Sequence, residues 1–279
     1  MFKFFKKKKQ VEKKSVQTKK QNPKKKKSPT NRSNEELAAV KGEIGEHKID
    51  IQLAQMPKEY RYVNDLMIKN SKSKSGYSQI DHVVLTPYGI FVIETKNYQG
   101  TIYGGKDRKT WLVNGKFKFM NPFNQNYGHI KALLQVAGVK HKDLIISMVS
   151  FTKRCTFKVG LELRKITSNN LIVYDIELSE FIYRKVNVQK ITHKKPLLTD
   201  EQIDRIYQSL LDVNITDQSI RAQHNEAIKA VTSNVTKTAA STSTCVVCDK
   251  AVTEKVKQYC LDNERFKGKV YCYEHQKSL

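Results

Sequence analysis

Residues 80–97 read IDHVVLTPYGIFVIETKN. Two apolar runs, VVL and IFVI, meet at a Pro-Tyr-Gly turn, the pattern of adjacent strands joined tightly. Runs this continuous belong to strands buried on both faces. Three charged groups stand at their ends: Asp81 before VVL, then Glu94 and Lys96 after IFVI. Taken singly, each reads as a solvated strand-end residue. Together they say more, because a carboxylate beside buried strands must be paired, protonated or bound to a cation. Glu94 and Lys96 are two apart and share a strand face. Asp81 on the neighbouring strand can approach Glu94 across the ladder.

Two carboxylates and an ammonium converging at a sheet end are what metal-assisted phosphodiester hydrolysis requires. Carboxylate oxygens suit Mg²⁺ or Mn²⁺, which keep several waters and take few protein ligands. Such an ion acidifies a bound water and offsets charge on the phosphoryl group, and a lysine beside it can orient that water. Working outward, GEIGEH at 42–47 places Glu43 and Glu46 on part of one helix face. Gly42 and Gly45 each cost about 1 kcal/mol in a helix interior, so this helix is expected to pack closely on the sheet and bring a glutamate to the metal. A solvated acidic face is the alternative. Downstream, NPFNQNYGHI at 121–130 puts Gln125 and His129 at i, i+4 on a second helix, either placed to meet substrate phosphate or a metal-bound water. Asn121-Pro122 also reads simply as a helix entry.

These blocks, GEIGEH, QIDHVVL, GIFVIETKNYQG and NPFNQNYGH, occur in order from about Lys41 to Leu134 and resemble the NERD (nuclease-related domain) family, regarded as a branch of the PD-(D/E)xK nuclease superfamily. The spacing D-x12-E-x-K alone is a weak match, whereas the four ordered blocks are specific. The resemblance implies a restriction-endonuclease-like core, Asp81 and Glu94 as metal ligands, Lys96 as the catalytic lysine, Glu46 as the helix acid and Gln125 as the helical glutamine. Ile80 precedes the aspartate, where the superfamily name has proline.

The rest of the chain sets the frame. Ser33-x-x-Glu36 reads as a capping box, followed by a helical stripe of Leu37, Val40, Ile44 and Ile51. Strands are expected at 60–68, 80–85, 90–95, about 101–103, 144–151 and 171–174. Asn114-Gly115 signals a hairpin between WLV and KFKF. Helices are expected at about 123–140 and from a Thr199-x-x-Gln202 cap to near Leu211. The architecture expected is therefore α/β, a mixed central sheet flanked by helices over residues 33–212. A disordered basic arm (1–32) precedes it. A linker (213–243) and a small zinc-binding module (244–279) follow.

The net charge is +24, of which residues 1–33 hold +13 and the rest +11. A folded part so basic favours a polyanion, DNA before RNA here, with peripheral contact of the arm to an anionic membrane as a lesser alternative. FKFF is too short for a secretory signal, and no window approaches the ~18 apolar residues of a membrane span. A cytoplasmic protein is expected. Four of the five cysteines fall in the last 35 residues, with Cys245-x-x-Cys248 and Cys272-x-x-His275 as paired knuckles. In an unsecreted protein these favour structural Zn²⁺ over disulfides, and Cys260 is an alternative to His275. Two functions follow: an Mg²⁺- or Mn²⁺-dependent DNA nuclease, or a nucleic-acid-binding or interaction protein that keeps the fold without turnover.

Overall fold

The computed structural model describes residues 34–238 and 243–278. The arm 1–32, Ser33 of the capping box and the side chain of Leu37 lie outside the described residues. The main sheet has five strands in the order β1 (Arg61–Lys69), β2 (Tyr77–Thr86), β3 (Gly89–Lys96), β7 (Ile145–Phe151), β9 (Asn170–Tyr174). The first three are antiparallel neighbours, and β3, β7 and β9 run parallel, so the sheet is mixed. Helices α2 (Pro122–Ala137) and α4 (Asp200–Val213) cover one face, packing Leu133, Leu134, Ile203 and Leu210 on Val83, Leu85, Ile90 and Val92. On the other face α1 (Asn34–Leu53) and α3 (Leu178–His193) lay Ile49, Leu53, Leu178 and Ile182 on Phe91, Ile93, Met148 and Val173. Each such fully buried side chain contributes about 1.5–3 kcal/mol, which is why β3 and β7 can be apolar on both faces.

The stripe expected on α1 is corrected. Ile44 and Ile51 are 51% and 49% exposed, and the buried face runs through Gly45, Ile49 and Leu53. The reason is visible at Gly45, where a Cβ would stand 3.4 Å from Thr95 Cγ2 and 3.6 Å from Asn97 Cβ. The helix therefore rides close over the end of β3. Gly42 has open space around it and makes no such approach.

A second, four-stranded sheet in the order β6 (Phe117–Met120), β5 (Thr110–Val113), β4 (Gly100–Tyr103), β8 (Cys155–Lys158) extends the aromatic core of Trp111, Phe151, Phe157 and Tyr98. Its hairpin turns at Asn114-Gly115, with φ of 52° and 70°, the left-handed pair that a tight hairpin requires.

The stretch expected as a linker contains a helix, α5 (Gln218–Thr238), whose first turns are tied to the far half of β1 and β2. Arg221 Nη1 donates to Asp65 Oδ2 at 2.6 Å and Nη2 to the Asp65 carbonyl at 2.8 Å, while His224 Nδ1 lies 2.9 Å from Ser75 Oγ. Just before the helix, Ile215 N–H donates to the Met67 carbonyl. The C-terminal module consists of a short hairpin, β10 (Ser243–Thr244) and β11 (Ala251–Val252), and helices α6 (Glu254–Asp262) and α7 (Tyr273–Lys277). Among the described residues no helix is long and apolar enough to cross a membrane.

Candidate functional site

The sheet forks at one end. Strands β2 and β3 pair from Thr86↔Gly89 to His82↔Ile93 and no further. Beyond that point β2 continues with β1 alone, and Glu94–Lys96 continue with β7 alone. The Thr95 N–H is taken by Asp81 Oδ2 at 2.7 Å. Asp81 thus sits in the fork, one residue past the last ladder pair, with Glu94 opposite.

Glu94 is 3% exposed. Its Oε1 accepts from Lys96 Nζ at 2.6 Å and from Gln125 Nε2 at 2.7 Å, and Lys96 Nζ also donates to Gln125 Oε1 at 3.0 Å. Glu94, Lys96 and Gln125 form a closed triangle, with Gln125 supplied by α2. One turn on, His129 Nε2 comes within 3.4 Å of Glu94 Oε2 without hydrogen-bond alignment. Glu94 Oε2 and both His129 ring nitrogens are therefore buried with no hydrogen-bond partner.

The acids titrate apart. Burial opposes ionisation of Glu94, but Lys96 and His129 outweigh it and hold the carboxyl below its ordinary value. Burial also opposes charge on Lys96, and Glu94 with Asp81 more than restores it. For Asp81 the pull of Lys96 and the Thr95 N–H is outweighed. Burial, then Glu94 and Glu46, hold its carboxyl well above the usual range. Glu46 on α1 is pushed up by burial and by Asp65, Glu94 and Glu43, with Lys96 pulling weakly the other way. The structure thus brings Asp81, Glu94, Lys96, Gln125, His129 and Glu46 into one electrostatic neighbourhood, while Glu43 is solvent-exposed. The oxygens of Glu46, Asp81 and Glu94 are not gathered within 4.8 Å of one another.

These residues fit a hard divalent cation on two counts. A buried carboxylate oxygen on Glu94 lacks an aligned hydrogen-bond donor, with His129 Nε2 standing 3.4 Å away, and Asp81 is crowded by like charge that a cation would relieve. The donors are all carboxylates, which suits Mg²⁺ or Mn²⁺.

Three neighbours were not singled out from the sequence. His82, beside Asp81, is buried with Nδ1 2.9 Å from Asn64 Oδ1 and Nε2 without a hydrogen-bond partner. Burial brings it down to about 4 against the pull of Asp50, Asp65 and Glu94. Tyr98 is raised by burial and feels Lys96 and Glu94. His224 is buried with Nε2 without a hydrogen-bond partner, and His129 is among the charges that bear on it. Only the histidine residue types gave any signal, since each contact depends on distant segments.

In the C-terminal module, Cys245, Cys248, Cys272 and His275 offer ligand atoms all within 4.8 Å of one another. Cys245 Sγ and Cys272 Sγ lie 3.5 and 3.2 Å from His275 Nδ1, and Cys248 Sγ lies 3.8 Å from Cys272 Sγ. Cys245–Lys250 is the tip of the β10–β11 hairpin, closed by Cys245 N–H to the Lys250 carbonyl. Burial opposes ionisation of Cys245, but backbone N–H groups around it and His275 bring the thiol down to about 6, a thiolate-favouring cage that suits Zn²⁺. Cys260 stands outside the cluster, its Sγ taken up by Tyr271 N–H and Gln276 Nε2.

A family match gives this α/β domain a nuclease-like fold. A model of the nuclease-related domain, NERD, matches residues 41–152. An uncharacterized protein of Bacillus anthracis, pXO1-01, is 31% identical over 188 residues, covering 66% of this chain and 82% of that one. The chain belongs to the NERD family. Two solved structures show weak likeness. SfsA of Pyrococcus furiosus, solved in complex with Ca²⁺, is 16% identical over 54% of each chain with a TM-score of 0.23. A protein of unknown function, AF1548, is 11% identical over 67% of this chain and 97% of that one, also with a TM-score of 0.23. At that TM-score neither bears on the fold or the site.

Proposed function

We propose that the protein is a divalent-metal-dependent nuclease of the PD-(D/E)xK type that hydrolyses phosphodiester bonds of DNA. The observation that carries this reading is Glu94: buried at the fork, fixed on one oxygen by Lys96 and Gln125, with the other oxygen 3.4 Å from His129 Nε2 and without an aligned hydrogen-bond donor. Asp81 and Glu94, with Glu46 behind them, would hold Mg²⁺ or Mn²⁺. When bound, the ion supplies positive charge for the phosphoryl oxygens and acidifies a water. Lys96 keeps its ammonium charged through Glu94, and its one N–H not given to Glu94 or Gln125 would serve the attacking water or a phosphoryl oxygen. Gln125 bridges Glu94 and Lys96 and fixes both side chains. Burial of the fork lowers the local dielectric and strengthens each of these interactions.

Zinc in the cage of Cys245, Cys248, Cys272 and His275 would be structural, since four protein ligands leave no open position. A module this small gains its folding free energy from such an ion. We further assign residues 33–212 to the nuclease domain and 244–279 to the zinc module. The arm 1–32 is assigned to electrostatic capture of nucleic acid, in a cytoplasmic protein.

The test is cleavage of linear, circular and single-stranded DNA with Mg²⁺ or Mn²⁺. Cutting should stop in EDTA, and Asp81→Ala and Glu94→Ala should bind DNA without cutting it. Variants that cut as well as the parent would overturn the site. One observation favours a second reading, a binding protein without turnover: the carboxylate oxygens are not gathered into a single coordination shell. In that case DNA binds with a steep salt dependence, and added metal produces no products.

A further inference from the structure

The small sheet carries a surface that the nuclease chemistry does not use. The loop between β4 and β5 brings out Lys106, Arg108 and Lys109, and the β5–β6 hairpin brings out Lys116 and Lys118, against a single acid, Asp107. All five cations are exposed, and none forms a salt bridge among the described residues. Beside them Phe117 is 58% and Met120 55% exposed on β6, the outer strand of this sheet.

This surface is rigidly joined to the fork. Asn121, fully buried, donates from Nδ2 to the carbonyls of Lys106 at 3.1 Å and Arg108 at 2.8 Å, with Gly105 at 3.4 Å. Its Oδ1 accepts from Phe123 N–H and so caps α2, the helix that carries Gln125 and His129. Trp111 Nε1 donates to the Gly105 carbonyl, and Gly104 lies so close to the indole that a Cβ there would stand 2.3 Å from the ring. On the hairpin side, the ring of Phe117 is 5.9 Å from that of Tyr98, whose phenol feels Lys96 and Glu94. Exposed cations on the loop and the hairpin thus flank an exposed aromatic ring that packs on Tyr98, two residues along from the candidate catalytic lysine, and the loop is held to α2 by one buried asparagine.

We propose that the loop Gly104–Lys109 and the β5–β6 hairpin form a guide for a single-stranded segment of DNA, with the cations following its phosphates and Phe117 stacking on one base. The inference rests on the nuclease reading for its substrate. A single strand is favoured over a duplex because a protruding aromatic needs an unstacked base face, while the cations serve either form. A substrate with a frayed or single-stranded segment beside the scissile bond is then engaged at both places.

The experiment is binding of full-length protein, without added divalent ions, to a labelled oligothymidine and to a duplex, each of about 20 nucleotides per strand. Fluorescence anisotropy is followed across a salt series. Phe117→Ala should weaken single-strand binding by about 5–150-fold and leave duplex binding within about twofold, as expected for one lost base stack. Phe117→Leu keeps apolar area and should lose nearly as much, which separates stacking from a folding defect. The double variant K116E/K118E should weaken both and lower the single-strand salt slope by about 0.7 per lysine. Phe117 and lysine variants that bind single strands like the parent would overturn the guide, and an equal loss on both DNAs after Phe117→Ala would overturn its single-strand specificity. If the parent binds and cuts DNA while these variants are unaffected, only this inference fails. If the parent binds no DNA at all, the nuclease reading fails with it.

Discussion

Asp81 and Glu94 share one site, yet neutralising them should move stability in opposite directions. Glu94→Gln removes the charge that Lys96 Nζ meets at 2.6 Å and leaves a mostly buried ammonium with Gln125 Oε1 at 3.0 Å. Breaking a buried pair by removing one partner costs about 3–5 kcal/mol, and the residual exposure of Lys96 places the expected loss at the lower end. Asp81→Asn keeps an acceptor for the Thr95 N–H and gives up the charged character of that bond, about 1 kcal/mol. In return it relieves the burial and crowding that hold the carboxyl well above its ordinary value of 3.8. Removing the charge removes that penalty, so the amide comes out ahead at alkaline pH. Each kcal/mol of net gain raises the melting midpoint by roughly 2–4 °C. Because the folded value is raised, the contribution of Asp81 is fully present below 3.8 and is lost as pH rises through the folded value. The advantage of Asp81→Asn should therefore vanish on acidification. Thermal and urea unfolding of the full chain without added divalent ions, at alkaline and acid pH, measures both variants. Excess Mg²⁺ should then reverse the ranking, stabilising the parent by about 2.7 kcal/mol at one hundred times Kd and leaving Asp81→Asn unmoved. An Asp81→Asn protein that melts at or below the parent at alkaline pH would refute the reasoning that repulsion dominates at the fork.

Three other outcomes are expected. Metal analysis of the dialysed full chain should find zinc bound in the parent and in Cys260→Ser, and lost in Cys248→Ser and His275→Ala; zinc loss from Cys260→Ser alone would reassign the ligands. His82 is depressed from 6.5 to about 4, so its neutral form stabilises fully above 6.5 and that contribution is lost as pH falls through about 4, a change of about 3 kcal/mol. Urea unfolding across that range should show a flatter acid limb in His82→Gln than in the parent. Arg221→Ala removes three donors to Asp65 and Ile215 and should cost about 1–3 kcal/mol, read as faster proteolysis within residues 214–224.

The strands around the fork were legible because VVL and IFVI are too apolar for anything but a doubly covered sheet, and the charges at their ends stood out against that background. The helix faces were harder. On α1 the apolar residues suggested one stripe, but the closest approach to the sheet is made by a glycine, which carries no hydrophobic signal, and burial follows Gly45 to Ile49 and Leu53. Helix α3 escaped notice although Leu178, Phe181, Ile182 and Val186 keep its period. A fully buried lysine, Lys185, interrupts the stripe, and it is satisfied by the Thr167 and Ser168 carbonyls instead of an acid. Within the site, Glu94, Lys96 and Gln125 followed from local spacing, whereas His224 reaches Ser75 across 149 residues and no pattern in the sequence links them.

The fork has a mechanical consequence. Past His82↔Ile93 no backbone ladder joins the β1–β2 arm to β3. Besides the Asp81–Thr95 hydrogen bond and the packing of α4, that arm is braced by Ile215, Arg221 and His224, all C-terminal to the stretch that matches the domain family. The two sides of the fork are thus held by different parts of the chain. Substitutions along residues 214–224 should therefore shift the β1–β2 arm, and Asp81 with it, relative to Glu94 and Lys96 on β3, so the spacing of these charges is set partly by residues outside the matched stretch.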